Sequence, residues 1–387
     1  MSTLSGNWNY PTAVRFGAGR IAELAKVCGS LGIQRPLIVT DPGLAALPMI
    51  TNAIAANAQE GVPTGLFSAI KPNPTGQNVE DGLAAYRDGG HDGVIAWGGG
   101  SGLDAGKAVA LMAGQTAPMW EFEDIGDNWK RVDPDGVAPI IAVPTTAGTG
   151  SETGRASVIL DEEAHLKRII FHPKMLPSVV ISDPELTVGL PPHITAATGM
   201  DALAHCFEAY CAPGFHPMAD GIALEGMRLV RDWLPKAVTD GTDIEARANM
   251  LAAASMGSTA FQKGLGGIHA LSHPVGALYD THHGLTNAVF HPYVMAWNLP
   301  VIDDRMCRLA SYLGLGNNAA SVMDWILELR ETFGMPHDIK ALGVEPERIN
   351  DIAKMALADP SNGGNPVEMT VAGYATILEN AYEGKLS

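Results

Sequence analysis

Residues 94–107 read VIAWGGGSGLDAGK, a short apolar run that stops at three glycines and passes directly into a helical pattern. A run with no polar alternation suits a strand buried on both faces of a parallel sheet. Glycines at its end let the chain turn tightly. They also leave backbone N–H groups and a helix N-terminus open to an anion, the arrangement that cradles phosphate. The loop is neither of the two common phosphate loops. A Walker loop needs Gly at Ser101 and Ser or Thr at Ala108, and the GxGxxG spacing puts Leu103 where its last Gly belongs. Three consecutive glycines followed by Ser exceed what a plain turn requires, so a pyrophosphate is the expected occupant.

The same strand-and-turn signature recurs on either side. PLIVT (36–40) ends in Asp41, PIIAV (139–143) ends in Pro144, and SVVI (178–181) ends in Ser182-Asp183-Pro184. Helical stretches at 79–88 and 102–112 lie between, a βαβ rhythm that predicts a parallel sheet with helices on both faces and ligands beyond its carboxyl ends. Asp41, at one such end, can hold a ribose or cap the following helix, and the residues alone favour neither. Thr145-Thr146-Ala147-Gly148-Thr149-Gly150-Ser151-Glu152, at another, is small and rich in hydroxyls that could bond a cofactor. After about Leu186 the rhythm changes to helices at 194–211, 218–234, 244–262, 319–333, 346–357 and 370–382, and Gly189-Leu190-Pro191-Pro192 marks the break. The expected fold is an α/β N-terminal domain, residues 1–185, with a Rossmann-like dinucleotide-binding parallel sheet. An all-α metal and substrate domain, residues 186–387, follows it.

Composition narrows the partners. A chain of 387 residues with 46% hydrophobic content has ample core for two domains. Its net charge of −17 argues against nucleic acid or an anionic membrane, either of which needs a basic face. Cys28, Cys206, Cys211 and Cys307 form no CxxC pair, which suits a reducing compartment and makes the cytoplasm the expected location. The N-terminal MSTLSGNWNYPT lacks the charged and apolar regions of an export signal, and no apolar run reaches the roughly 18 residues of a membrane span.

Four of the twelve histidines, His269, His273, His282 and His283, fall in GLGGIHALSHPVGALYDTHHG, residues 264–284. In a helix, His269 and His273 leave the same face one turn apart. Pro274 should bend that helix and carry the Tyr279-Asp280-Thr281 loop inward with His282 and His283. So dense a cluster points to metal binding by at least two of them. Asp201 and His205, four apart in another helical stretch, can chelate the same ion. Glu208 could orient a ligand from behind, although a solvated carboxylate is the simpler expectation.

The motifs GGGSGLDAGK, PTTAGTGSE, DPELTVGLP, TGMDALAHCFEAY and GLGGIHALSHPVGALYDTHHG together resemble the iron-containing (group III) alcohol dehydrogenase family, nearly end to end. The resemblance implies metal ligation by Asp201, His205, His269 and His283, with His273 beside the reacting carbon. His282 stands where many members have proline, and His283 directly precedes Gly284 as the family pattern requires. For the cofactor, NAD, the resemblance implies contacts from Asp41, Asn73, Gly99, Gly100, Ser101, Thr145, Thr146, Thr149 and Lys167. Fe²⁺ is the metal by family analogy and Zn²⁺ the competitor, since both accept nitrogen and oxygen ligands.

The implied activity is an NAD-dependent alcohol dehydrogenase in which the metal polarises an alcohol or carbonyl oxygen while hydride passes to or from the nicotinamide. Two alternatives stand against it: a dehydroquinate-synthase-like lyase, which would need several cations near the metal, and a non-catalytic metal-binding protein, which would leave the glycine and threonine loops without purpose. Residues 264–304 contain no Lys or Arg, so the expected substrate is a small or medium, uncharged primary alcohol or its aldehyde, with Lys263 flanking the stretch. Leu265, Ile268, Leu271, Val275 and Phe290 are expected as its apolar walls, and the segment 121–136 with Trp129 as a further wall. The chain is expected to form a homodimer or larger homo-oligomer.

Overall fold

The structure is a computed structural model that describes residues 12–386 and the backbone of residues 6–8. The N-terminal stretch read above for an export signal lies largely outside them. Two compact units emerge: Met1–Gly189 with Thr242–Leu251, and Leu190–Gly241 with Ala252–Ser387.

In the first unit the strands are β1 (Gly6–Trp8), β2 (Ala13–Phe16), β3 (Pro36–Val39), β4 (Gly65–Phe67), β5 (Gly93–Gly98), β6 (Ile140–Pro144), β7 (Ala156–Asp161), β8 (Leu166–Phe171) and β9 (Val179–Ser182). Seven of them form one sheet in the order β1-β2-β9-β6-β5-β3-β4, parallel throughout except for the edge pair β1–β2. Every position of β3, β5, β6 and β9 is buried, which is why these strands read as unbroken apolar runs. Helices α1 (Leu24–Ser30), α2 (Pro42–Ala45), α3 (Pro48–Gln59), α4 (Gly76–Asp88) and α5 (Gly100–Met112) connect or follow them. From β3 the chain runs outward to β4, then returns to the other side of β3 as β5. The order therefore reverses between β3 and β5, the kind of switch point where open α/β sheets leave a crevice for ligands.

The antiparallel hairpin β7–β8 was not foreseen from sequence. Its strands are mostly half-buried and β8 carries Lys167 and Arg168, so they lack the uninterrupted apolar signature of the main sheet. The segment expected as a wall packs against this hairpin: Trp129 meets Phe171 edge-on at 6.2 Å, and Glu123 pairs with Arg168.

The second unit is helical, with no strand among its described residues. Its helices are α6 (Pro192–Cys211), α7 (Pro217–Thr239), the C-terminal part of α8 (Ile244–Ala260), α9 (Gly267–Tyr279), α10 (His283–Tyr312), α11 (Ala319–Thr332), α12 (Ile349–Ala358) and α13 (Val371–Glu383). Helix α9 continues through Pro274 and ends at Asp280, in left-handed backbone with φ 51°. Sequence reading assigned no helix to residues 283–312, where Pro292 and Pro300 look like breakers. Each proline removes one backbone donor, but Phe290, Val294, Met295, Ile302, Met306 and Leu309 are all buried, and their burial outweighs the lost bonds.

Candidate active site

In the first unit, three of the predicted loops follow neighbouring strands β3, β5 and β6. Asp41 lies just beyond β3, where its Oδ1 accepts a hydrogen bond from the Leu44 N–H at 2.9 Å and caps α2. The cap reading is thus realised, and one oxygen serves it. Gly99 is the N-cap of α5 and offers no side-chain cap, so the first-turn N–H groups are not taken by a side chain of that residue. The glycine and threonine loops pack face to face. A Cβ on Gly99 would lie 3.1 Å from the Thr146 methyl, and one on Gly100 would lie 2.6 Å from the Thr149 methyl. The Thr145 N–H bonds Gly98 O at 2.9 Å, and the Ser101 hydroxyl donates to Pro72 O, which brings the half-buried Asn73 beside the glycines. Lys167 is half-buried on β8.

Lys107, the last residue of the glycine stretch, does not serve an anion. It is buried, with Nζ on Asp104 Oδ1 and Ser151 O at 3.1 Å each and on Ala156 O. Asp104 also accepts from Val158 N at 2.9 Å. This network fastens α5 to the hairpin and to the end of the threonine loop.

In the second unit, Asp201 and His205 sit one turn apart on α6, His269 and His273 on α9, and His283 at the first position of α10. Ligand atoms of Asp201, His205 and His269 all lie within 4.8 Å of one another. His283 Nε2 is 3.6 Å and His269 Nε2 3.8 Å from Asp201 Oδ1. Gly284 permits the approach, because a Cβ there would stand 2.2 Å from Ala197 O on α6. His282 is exposed and uses its Nδ1 to accept from Leu285 N at 3.4 Å, as the N-cap of α10. The structure therefore gathers His283, and not its neighbour, with the other donors.

Three groups that sequence reading undervalued or missed complete the site. Glu208 is not a solvated carboxylate. It is 4% exposed, and its two oxygens accept from Ile268 N and His269 Nδ1, each at 2.6 Å. Burial alone would push the His269 imidazole down, but the charge and hydrogen bond of Glu208 prevail and hold it above its ordinary value. With Nδ1 engaged by Glu208, Nε2 faces Asp201. Asn287 donates from Nδ2 to Asp201 Oδ1 at 2.7 Å, and the same nitrogen lies 3.1 Å from His269 Nε2 and 3.2 Å from His283 Nε2. A carboxylate oxygen and two imidazole nitrogens thus converge on one amide nitrogen. Asp359, following α12, accepts from His273 Nδ1 at 2.8 Å. Burial would raise its carboxyl, yet His273 and Ser361 hold it below the usual carboxylate range.

The expected apolar walls need correction. Ile268, Leu271, Val275 and Phe290 are completely buried in helix contacts and line no solvent-reachable surface, while Leu265 is partly exposed. Lys263 is also spoken for: its Nζ meets Asp220 Oδ1 at 2.5 Å and Tyr210 O at 3.3 Å, and Arg305 lies 3.5 Å from the same Asp220.

The description "Iron-containing alcohol dehydrogenase" matches residues 11–184, and "Fe-containing alcohol dehydrogenase family, C-terminal" matches residues 195–382. The chain belongs to the iron-containing alcohol dehydrogenase family. It is 39% identical to the 4-hydroxybutyrate dehydrogenase of Cupriavidus necator, over 96% of this chain and 98% of that one. It is 36% identical to the NAD-dependent methanol dehydrogenase of Bacillus methanolicus, over 97% and 99%. The crystal structure of a 1,3-propanediol oxidoreductase superposes with a TM-score of 0.91 at 33% identity, covering 99% of this chain and 100% of that one. Membership decides for an alcohol dehydrogenase over the lyase and non-catalytic alternatives, and the sheet-plus-helical architecture is the family's. No helix among the described residues is long and apolar enough to cross a membrane.

Proposed function

We propose that this dehydrogenase uses NAD and a divalent metal to interconvert a small or medium, uncharged primary alcohol and its aldehyde. The observation that carries the reading is the convergence of Asp201, His205, His269 and His283 in the helical unit. Two imidazoles and a carboxylate with donor atoms within 4.8 Å suit one ion bound at about 2.0–2.2 Å, with His283 as a fourth ligand. Mixed nitrogen and oxygen donors fit Fe²⁺, with Zn²⁺ the competitor. Such an ion supplies Lewis acidity toward the oxygen of the alcohol or aldehyde.

The chain's own residues do the rest. Glu208 keeps the His269 Nε2 lone pair turned toward Asp201, and Asn287 holds the Asp201 carboxylate in place. His273, stacked on His283 with ring centroids 5.5 Å apart, is placed to take the hydroxyl proton at Nε2 during oxidation and return it during reduction. Gly99, Gly100 and Ser101 would receive the pyrophosphate at the start of α5, with Asn73, Thr145, Thr146, Thr149 and Lys167 around it and Asp41 on the adenosine ribose. NAD supplies the hydride acceptor, so alcohol and NAD⁺ give aldehyde, NADH and a proton. In this reading residues 1–185 bind the dinucleotide and 186–387 the metal and substrate, in a cytoplasmic homodimer or larger homo-oligomer.

An ω-hydroxy acid is the second reading, favoured by the 4-hydroxybutyrate dehydrogenase relative. It would need a cation for the carboxylate, and Lys263 and Arg305 are committed to Asp220. An unpaired buried anion costs several kcal/mol. The test is kcat/KM for n-alkanols, diols and ω-hydroxy acids of matched length, on protein stripped by chelation and reloaded with Fe²⁺ or Zn²⁺. Neutral alcohols should lead, and reloading should restore turnover. A hydroxy acid that outperforms its neutral counterpart would favour the second reading.

A further inference from the structure

We infer that Asp359 is the positioning residue of His273: it fixes which nitrogen of that ring carries the proton and which way the ring faces. The inference deepens the dehydrogenase reading and rests on it. The His273 Nδ1 to Asp359 Oδ2 distance is 2.8 Å, with the two side chains 10% and 8% exposed. Asp359 Oδ1 is held in turn by the Ser361 N–H at 2.8 Å. The segment that carries Asp359 also grips the beginning of α9. Asn365 Oδ1 accepts from Gly267 N at 3.1 Å and from Asn298 Nδ2 at 2.8 Å, and Asn365 Nδ2 donates back to Asn298 Oδ1 at 2.9 Å. Contact is so close that a Cβ on Gly364 would stand 2.0 Å from Leu265 O.

Asp359 and His273 are therefore held at a fixed separation by backbone on both sides. An ionised carboxylate only accepts, so Nδ1 carries the hydrogen, and in the neutral ring Nε2 is the nitrogen that presents a lone pair. The same logic orients the histidine of a Ser-His-Asp triad.

Asp359 also caps the turn at Pro360–Gly364, and a cap alone would give the residue a merely structural role. Asp359→Asn separates the two, because Asn caps as well as Asp does, whereas its amide can present N–H to Nδ1 and reverse the tautomer. We expect kcat to fall at least about tenfold, and by no more than the roughly hundred- to ten-thousandfold that a positioned acid–base group contributes in full. KM for NAD, metal content and thermal midpoint should stay at wild-type values. In a His273→Ala background the same substitution should change kcat less than about twofold, since its target is gone.

Unchanged kcat in the single variant, effects that multiply in the double variant, or loss of metal would each overturn the inference. Asp359→Ser, which keeps a cap without a carboxylate, is the second variant, and if both proteins fail to fold the residue is structural and the inference is wrong. Wild-type protein with no NAD-linked turnover on any alcohol would refute the function itself. Active wild type with an unaffected Asp359→Asn would refute only the role of Asp359.

Discussion

Glu208→Gln should weaken metal binding about 10–100-fold, and the structure shows why an isosteric change has that effect. The wild-type carboxylate is 4% exposed and meets two donors, Ile268 N and His269 Nδ1, each at 2.6 Å. Glutamine has one oxygen for those two donors. If the oxygen stays with Ile268, the amide N–H faces Nδ1, and His269 must move its proton to Nε2, where the lone pair for the ion would be lost. If the oxygen turns to His269, two N–H groups oppose each other at the start of α9, and a buried unsatisfied donor costs about 1–3 kcal/mol.

The expected loss in affinity corresponds to about 1.4–2.7 kcal/mol, so both routes reach the same order. Equilibrium competition against a chromophoric chelator measures it directly, with the thermal midpoint of the metal-free protein as a control for folding. Wild-type affinity in a folded Glu208→Gln protein would show that His269 does not depend on the carboxylate behind it, and the metal assignment on α9 would have to be rebuilt.

Two other changes test separate parts of the molecule. Asp41→Asn keeps the cap on Leu44 N but removes the charge that would repel the 2′-phosphate of NADP, so the preference for NAD over NADP should narrow at an unchanged thermal midpoint. An unchanged cofactor ratio would leave Asp41 as a cap and no more. His291→Leu should stabilise the fold and flatten its acid sensitivity. His291 is fully buried with neither ring nitrogen hydrogen-bonded, and burial, with Arg330 nearby, pushes it down from 6.5 to about 3. The folded state then holds a neutral ring while the unfolded chain takes a proton. Stability is accordingly intact above about pH 6.5 and falls toward pH 3, by roughly 2 kcal/mol at about pH 5. Urea titrations of both proteins at about pH 7 and 5 would read it, and equal losses in the two would contradict the account.

The sequence made the main sheet legible because its strands are buried on both faces and end in turn-formers. Val94–Trp97 is the clearest case, apolar throughout and stopped by Gly98. The hairpin β7–β8 escaped because its strands are mostly half-buried and carry charge, a pattern easily taken for a loop. Helix α10 escaped because Pro292 and Pro300 are local signals, whereas what sustains the helix is burial against elements far along the chain. Tertiary packing prevailed over local propensity there. The same blindness affected the walls: apolar residues of α9 and α10 can be recognised from sequence, but whether they face a cavity or a neighbouring helix cannot.

At the candidate site the helix-spaced pairs were visible, and the groups behind them were undervalued or missed. Asp201–His205 and His269–His273 are four apart, a spacing that a helix converts into proximity. The groups behind them come from 61 and 86 residues away, Glu208 to His269 and Asp359 to His273. An imidazole has two nitrogens, and a carboxylate on one decides what the other can offer. His269 and His273 each have a buried acid at Nδ1, so in each case Nε2 is left to face the site. His291, as deeply buried, has no acid at either nitrogen and stays neutral through the physiological range. Burying a carboxylate is costly unless its hydrogen bonds are satisfied, and both Glu208 and Asp359 also accept a backbone N–H. The fold therefore accepts that cost twice, behind the two histidines of α9 whose Nε2 atoms the proposed reaction uses, and not behind the histidine that only packs.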